Sequence, residues 1–250
     1  MSEVFQRPPT AQEAVLAELR RLITAGRLRP GQQIIQDSLA VQLGVSRVPL
    51  REALKILEGE GQVTYLAHRG YFVAELSLSD LHEVYRIREI LEAEAVTIAV
   101  PQMTAEDIQR FEEAERDVQA AAAVADVVAM TSANRRFHFA LIEACALPRL
   151  VRLIGLLWDA TEVYRSVYYN DEHNRDIVEA EHRAVVAAVR AGDAAAALVA
   201  LTAHREHAIA ALRPVLEQGD DGVPATLRRM RSAEGAQPGQ GLADDEGVHL

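Results

Sequence analysis

Asn134 and His138 stand four residues apart in "NRRFHFALIEA", a spacing that stacks two side chains on one face of a helix. An amide oxygen above an imidazole nitrogen is half of a metal site. Two more histidines lie in amphipathic stretches, His182 just before "AVVAAV" and His204 just after "AALVALTA". Each of the three falls in a different predicted helix. Imidazoles converging from facing helices are how metal sites are built in the cores of bundles. One such histidine alone reads as a hydrogen-bonded core residue. Three of them, with an i,i+4 partner, read equally well as ligands. His207, one turn past His204, competes for the last position, and His173 does so from a helix start.

A second constellation lies in "DSLAVQLGVSRVPLREALKILEGEG". Gly44 supplies a tight turn, Val45 plugs the junction, and Ser46 stands where a helix cap belongs. The helix that follows projects Ser46, Arg47 and Arg51 from its N-terminal end, with Lys55 one turn further on. These are the positions that reach base edges and phosphates when a recognition helix enters the major groove. Downstream, His68, Arg69 and Gly70 form the tip of a hairpin that can touch the DNA backbone or minor groove. The alternative is a solvated face, with the basic residues paired to Glu52 or Glu58. The glycine turn, the cap and the basic hairpin tip together favour DNA.

The elements that must position these residues divide the chain into three parts. The head, residues 8–76, reads as helix, helix, turn, helix, hairpin. Its first helix carries Val15, Leu19, Leu22 and Ile23 at helical period and stops at Gly26; Pro30-Gly31 makes a turn. A second helix is predicted over Ser38–Leu43 and a third from Ser46 through Leu57, before the runs "QVTYLA" and "YFVAEL". The body, residues 77–217, is predicted as six helices in an antiparallel bundle. Ser77 with Asp80 and Thr104 with Asp107 resemble capping boxes, Pro101 ends the first body helix, and Gly192-Asp193 separates the last two. The intervening helices are placed at 126–145, 148–169 and 173–191. The tail, residues 218–250, holds six of the 14 glycines and two prolines, and is expected to be mostly disordered. The fold class is thus mainly α: an N-terminal winged helix-turn-helix and a C-terminal all-α bundle.

Bulk properties restrict the function. The net charge of −11 argues against nucleic acid until it is mapped, because residues 1–75 carry +1 and the remainder −12. No apolar run is long enough to span a bilayer, and the N-terminus lacks a signal peptide's apolar core. The single cysteine, Cys145, excludes an intramolecular disulfide and fits a cytoplasmic location.

"GRLRPGQQI", "LAVQLGVSRVPLREALKILEGEG" and "HRGYFV", in that order, resemble the winged helix-turn-helix of the GntR family of bacterial transcription regulators. "VYRIREILEAEAVTIA", "NRRFHFALIEACALPRL", "AEHRAVVAAVRAGDAAAA" and "LTAHREH" resemble the FCD effector domain of the family's FadR-type branch. Six body helices are similar to the VanR-like subgroup. The resemblance implies a homodimer on double-stranded operator DNA, held by Ser46, Arg47, Arg51, His68, Arg69 and Gly70. Asp37 departs from relatives that carry a basic residue there, which removes one phosphate contact. The resemblance also implies a divalent ion on Asn134, His138, His182 and His204, and a small organic acid effector contacted by Arg88. A surface pair of Arg88 with Glu92 is the plainer reading of that arginine. Three neutral imidazoles and one amide oxygen suit Zn²⁺ or Ni²⁺ and leave coordination positions open. They also add no negative charge, so an acidic effector would gain more from the ion than beside an aspartate.

The function expected is a metabolite-responsive repressor, not an enzyme. Effector binding would change the placement of the two heads through a linker near Glu75–Ser79. The alternatives are a purely structural metal site in a dimerisation module, or a metal-dependent hydrolase using Glu143 or Glu181 as base. Trp158, Tyr164, Tyr168 and Tyr169 fill the core or line a pocket.

Overall fold

The computed structural model describes residues 9–75 and 77–222. Helix α1 (Ala11–Thr24) starts at a reciprocal capping box between Thr10 and Glu13 and buries Val15, Leu19, Leu22 and Ile23. A two-residue strand β1 (Gln33–Ile34) follows, then α2 (Gln36–Leu43), which begins two residues earlier than expected. Gly44 ends α2 in the left-handed region at φ 66°, the conformation the tight turn requires. Helix α3 (Arg47–Gly59) buries Leu50, Ala53, Leu54 and Leu57 completely. Each such leucine contributes about 1.5–3 kcal/mol of burial, which pins one face of α3 and leaves the basic face outward. Strands β2 (Val63–Leu66) and β3 (Gly70–Val73) form the expected hairpin, with Val63 opposite Val73 and Leu66 opposite Gly70. β1 adds to the free edge of β3, giving the order β1-β3-β2. Two residues are too few to show an alternating pattern, so this third strand was not legible in the sequence.

In the body, α4 (Leu78–Ala99) starts at Ser77, whose hydroxyl accepts the Asp80 N–H at 3.1 Å. The Asp80 carboxylate does not complete a capping box; it lies 3.0 Å from the Tyr164 hydroxyl. Pro101 sits in a short 3₁₀ turn after α4, and α5 (Ala105–Ala123) begins at a full Thr104–Asp107 capping box. Then come α6 (Val127–Ile142), α7 (Pro148–Ala160), α8 (Glu162–Tyr169), α9 (Glu172–Arg190) and α10 (Ala194–Gly222).

The helix expected over 148–169 is therefore two helices, broken at Thr161. The described body has seven α-helices, so the six-helix count, and the likeness to the VanR-like subgroup drawn from it, does not hold. Helix α10 runs on to Gly222, past the expected start of the tail at 218. The rest of the tail expectation lies outside the described residues.

The hydrophobic core is divided. One cluster joins α1, α2, α3 and the sheet; the other fills the bundle around Phe111, Phe137, Trp158 and Val185. Val163 of α8 belongs to the first cluster, although it lies far along the chain in the bundle. No described helix is long and apolar enough to cross a membrane.

Candidate functional site

His138 on α6, His182 on α9 and His204 on α10 come together in the bundle core. Their ligand nitrogens all lie within 4.8 Å of one another, an arrangement that could hold a metal ion. Aromatic packing fixes the rings: Phe137 stacks on His182 at 4.0 Å, and Trp158 lies 4.8 Å from His138. Carboxylates hold the far sides. Glu115 on α5 is 2.7 Å from His182 Nδ1, and Glu181 is 2.6 Å from His204 Nδ1. A carboxylate on Nδ1 leaves Nε2 as the free lone pair and aims it. His138 Nε2 and His182 Nε2 are buried with no hydrogen-bond partner among the described residues, and so is the Asn134 oxygen Oδ1. Burial, reinforced by the neighbouring His204, keeps His138 and His182 well below the ordinary imidazole pKa of 6.5. Both are neutral donors at physiological pH. Buried unpartnered acceptors of this kind cost free energy unless something fills their lone pairs. The residue set fits a divalent ion.

His207 does not join the cluster. It is exposed and hydrogen-bonds Glu181, and His173 is exposed at the start of α9. Glu181 is thereby occupied by two histidines and is no general base. Glu143 lines a surface groove with Arg135, Arg152 and Asp159, away from the cluster.

Beside the histidines is a small cavity of about 20 Å³. Asn134, His204 and Arg88 line it, together with Arg165 and Arg205. Arg88 pairs with Glu92 at 2.9 Å as its spacing suggests, but the pair is buried and not on the surface. The other Glu92 oxygen accepts from Arg205 at 3.2 Å, and Trp158 Nε1 donates to Glu92 at 2.7 Å. Burial alone would raise the Glu92 carboxyl, yet Arg88 and Arg205 hold it below its ordinary range. The guanidiniums also stack on aromatic rings, Arg88 4.0 Å and Arg165 4.4 Å from Trp158. Arg88 and Arg205 thus share one carboxylate, while Arg165 has no ion-pair partner among the described residues. Such an excess of buried cation is costly without an anion. Trp158, Tyr168 and Tyr169 both fill the core and line this cavity, whereas Tyr164 binds the linker.

Arg165 and Arg205 were not singled out from the sequence. Arg205 directly follows His204, which was a usable signal. Arg165 in "TEVYRSVYY" carries none, because nothing in a single sequence separates a buried arginine from a solvated one. Glu92 was visible only as a surface partner.

In the head, Arg47, Arg51, Lys55, Arg69 and Gly70 line one concave surface of about 970 Å³ between α3, the start of α2 and the sheet. Arg51 and Lys55 are exposed, as are Ser46 just before α3 and His68 at the hairpin tip. Ser46 occupies the cap position without a side-chain cap bond, and His68 adopts φ 61°. The Arg69 guanidinium sits 5.2 Å from the Phe72 ring, and its carbonyl accepts from Gln33 at 2.6 Å. Arg47 pairs with Asp37 at 2.6 Å, and not with Glu52 or Glu58. Exposed Val48 and Tyr65 line the same surface and were not foreseen.

A winged helix-turn-helix joined to a helical bundle with a buried His and Arg site is the architecture of a ligand-responsive DNA-binding regulator. Residues 11–73 match the family of bacterial regulatory proteins named gntR, and residues 83–207 match the FCD domain. The chain belongs to the GntR family of transcription regulators, in its FCD-containing, FadR-type branch. It is 28% identical over 208 residues to the HTH-type transcriptional regulator YdhC of Bacillus subtilis, covering 82% of this chain and 92% of that protein. A probable D-xylose utilization operon transcriptional repressor of Paenarthrobacter nicotinovorans is 31% identical, with 82% and 88% covered. The solved structure of Escherichia coli McbR/YncC superposes with a TM-score of 0.72 at 27% identity, covering 85% and 99% of the two chains. These relatives are transcription regulators, not enzymes.

Proposed function

We propose that this regulator is a homodimeric repressor that reads a metal-assisted small carboxylate in its bundle and its operator with its head. Residues 8–76 serve as the DNA-binding domain and residues 77–217 as the effector and dimerisation domain, in the cytoplasm. Asn134, His138, His182 and His204 hold a divalent ion, Zn²⁺ or Ni²⁺, which supplies open coordination positions and positive charge to an anion. Arg88, which lines the same cavity as Asn134 and His204, binds the same anion. Ser46, Arg47, Arg51 and Lys55 enter the major groove, and His68, Arg69 and Gly70 contact the backbone or minor groove.

One observation carries the reading: orphaned Asn and His acceptors adjoin a cavity lined by three buried guanidiniums, of which two share the one carboxylate and the third has none. That juxtaposition supports an anion on an ion, which a purely structural metal site does not need. The test is elemental analysis of the purified chain, followed by thermal-shift titration with acetate, succinate and citrate before and after chelation. One equivalent of metal per chain is expected, with stabilisation by a carboxylate that chelation abolishes. A chain that takes up no divalent ion contradicts the reading.

A further inference from the structure

Helix α8 is eight residues long and buries six of them, including Val163, Tyr164, Arg165 and Tyr168. A helix buried on every side has different neighbours on each. Arg165 and Tyr168 face the anion cavity, where Arg165 Nε and the Tyr168 hydroxyl are buried without partners among the described residues. Tyr164 receives the Ser77 N–H at 2.9 Å and so fastens the linker between head and body. Val163 is part of the head's hydrophobic core, and Glu162 accepts the Thr24 hydroxyl of α1 at 2.7 Å. Arg165 also lines the cleft between α1 and the bundle. One short helix therefore touches cavity, linker and head.

The cavity has room for about one water molecule, so even acetate can enter only if a wall moves. Arg165 is the wall that stands on α8, the helix whose Glu162 and Val163 touch the head. Its guanidinium donates to Thr161 Oγ1 at 2.8 Å and to the Trp158 carbonyl at 2.6 Å, the two groups that form the α7–α8 corner. Arg88 points at the same Thr161 hydroxyl at 3.4 Å, so two like charges converge there.

We propose that Arg165 is a second anion-binding residue of this cavity and that α8 carries its occupancy to the head. This rests on the metal-and-carboxylate reading above. An anion between Arg88 and Arg165 relieves their repulsion and draws the Arg165 N–H groups from Thr161 and the Trp158 carbonyl. The corner loses its clamp, and Glu162, Val163 and Tyr164 shift together against α1 and the linker.

Hydrogen–deuterium exchange on the full-length, Zn²⁺-loaded chain tests this, with saturating citrate as probe and acetate as a smaller one. In the wild type, citrate should change exchange both at residues 158–166 and at residues 18–28. Thr24→Val with Val163→Ala should keep citrate affinity within twofold and keep the response at 158–166. The response at 18–28 should fall at least fivefold; Thr24→Val alone is the milder form if the double variant is unstable. Arg165→Lys, which keeps the charge without the fork, should lose citrate affinity at least tenfold with Zn²⁺ stoichiometry unchanged. A wild-type chain that binds neither probe overturns the carboxylate reading and this one with it. A chain that binds citrate but whose head response survives in the Thr24 and Val163 variants, or whose Arg165→Lys variant binds normally, overturns this inference alone.

Discussion

Asn134 is a residue whose neutrality has a measurable consequence. Its Oδ1 is buried and unpartnered one turn before His138, on the wall of a cavity already rich in guanidinium. An aspartate there would bind a cation more strongly and cancel part of the charge that attracts an acid. Asn134→Asp is expected to tighten Zn²⁺ binding and weaken carboxylate binding by about tenfold, roughly 1.4 kcal/mol. Calorimetric titration reads both, and tighter carboxylate binding in the variant contradicts the account. The buried imidazoles also set a pH dependence. His138 and His182 titrate well below 6.5 when folded but near it when unfolded, so below pH 6.5 the unfolded chain binds more protons. Burial pushes the Glu115 carboxyl up to about 7 and raises Asp159 as well, which acts in the opposite sense and offsets part of the effect. The metal-free chain is thus expected to lose stability on falling from pH 6.5 toward 5. Urea denaturation at pH 7.5 and 5.5 checks this; a flat or rising profile contradicts it.

At the scale of elements, the three histidines, the basic face of α3 and the hairpin could all be read from spacing, glycines and caps. The break at Thr161 could not. "GLLWDATEVYRSVYY" has no proline or glycine where α7 ends, and its apolar period runs on. What breaks it is tertiary. Thr161 Oγ1 bonds back to the Leu157 and Trp158 carbonyls at 3.1 and 3.3 Å, and the buried Arg165 takes the Trp158 carbonyl as well. The missed Arg165 and the missed break are one feature, since the buried Arg165 closes that corner. In the head, α3 has the better prospects for direct testing. Arg51 stands exposed on its outer face with no ion pair among those described, whereas Arg47 is held by Asp37. Arg51→Ala is expected to cost about 1–3 kcal/mol of operator binding and to relax the preference at one base position. Equal loss on specific and random duplexes, measured by fluorescence anisotropy, would mean that Arg51 contacts phosphate only.

For the whole molecule, charge and connectivity explain how an acidic chain reads DNA. The −12 beyond residue 75 repels a duplex, so only the near-neutral head approaches, with its cations gathered on one concave surface. The head is not simply tethered. Val163 in its core and Glu162 on Thr24 tie it to the bundle beside the arginine-lined cavity. A change in the bundle therefore has a physical route to the head. The central claim is that a carboxylate and an ion in the bundle act together on DNA binding. Its most direct test is operator affinity, using a duplex selected from a random pool by the full-length chain. Affinity is titrated with small carboxylates in the Zn²⁺-loaded and chelated protein. At least one carboxylate is expected to weaken binding about tenfold or more in the metal-loaded protein and to have no effect after chelation. Operator affinity that stays constant across the carboxylates in the metal-loaded protein would contradict the account.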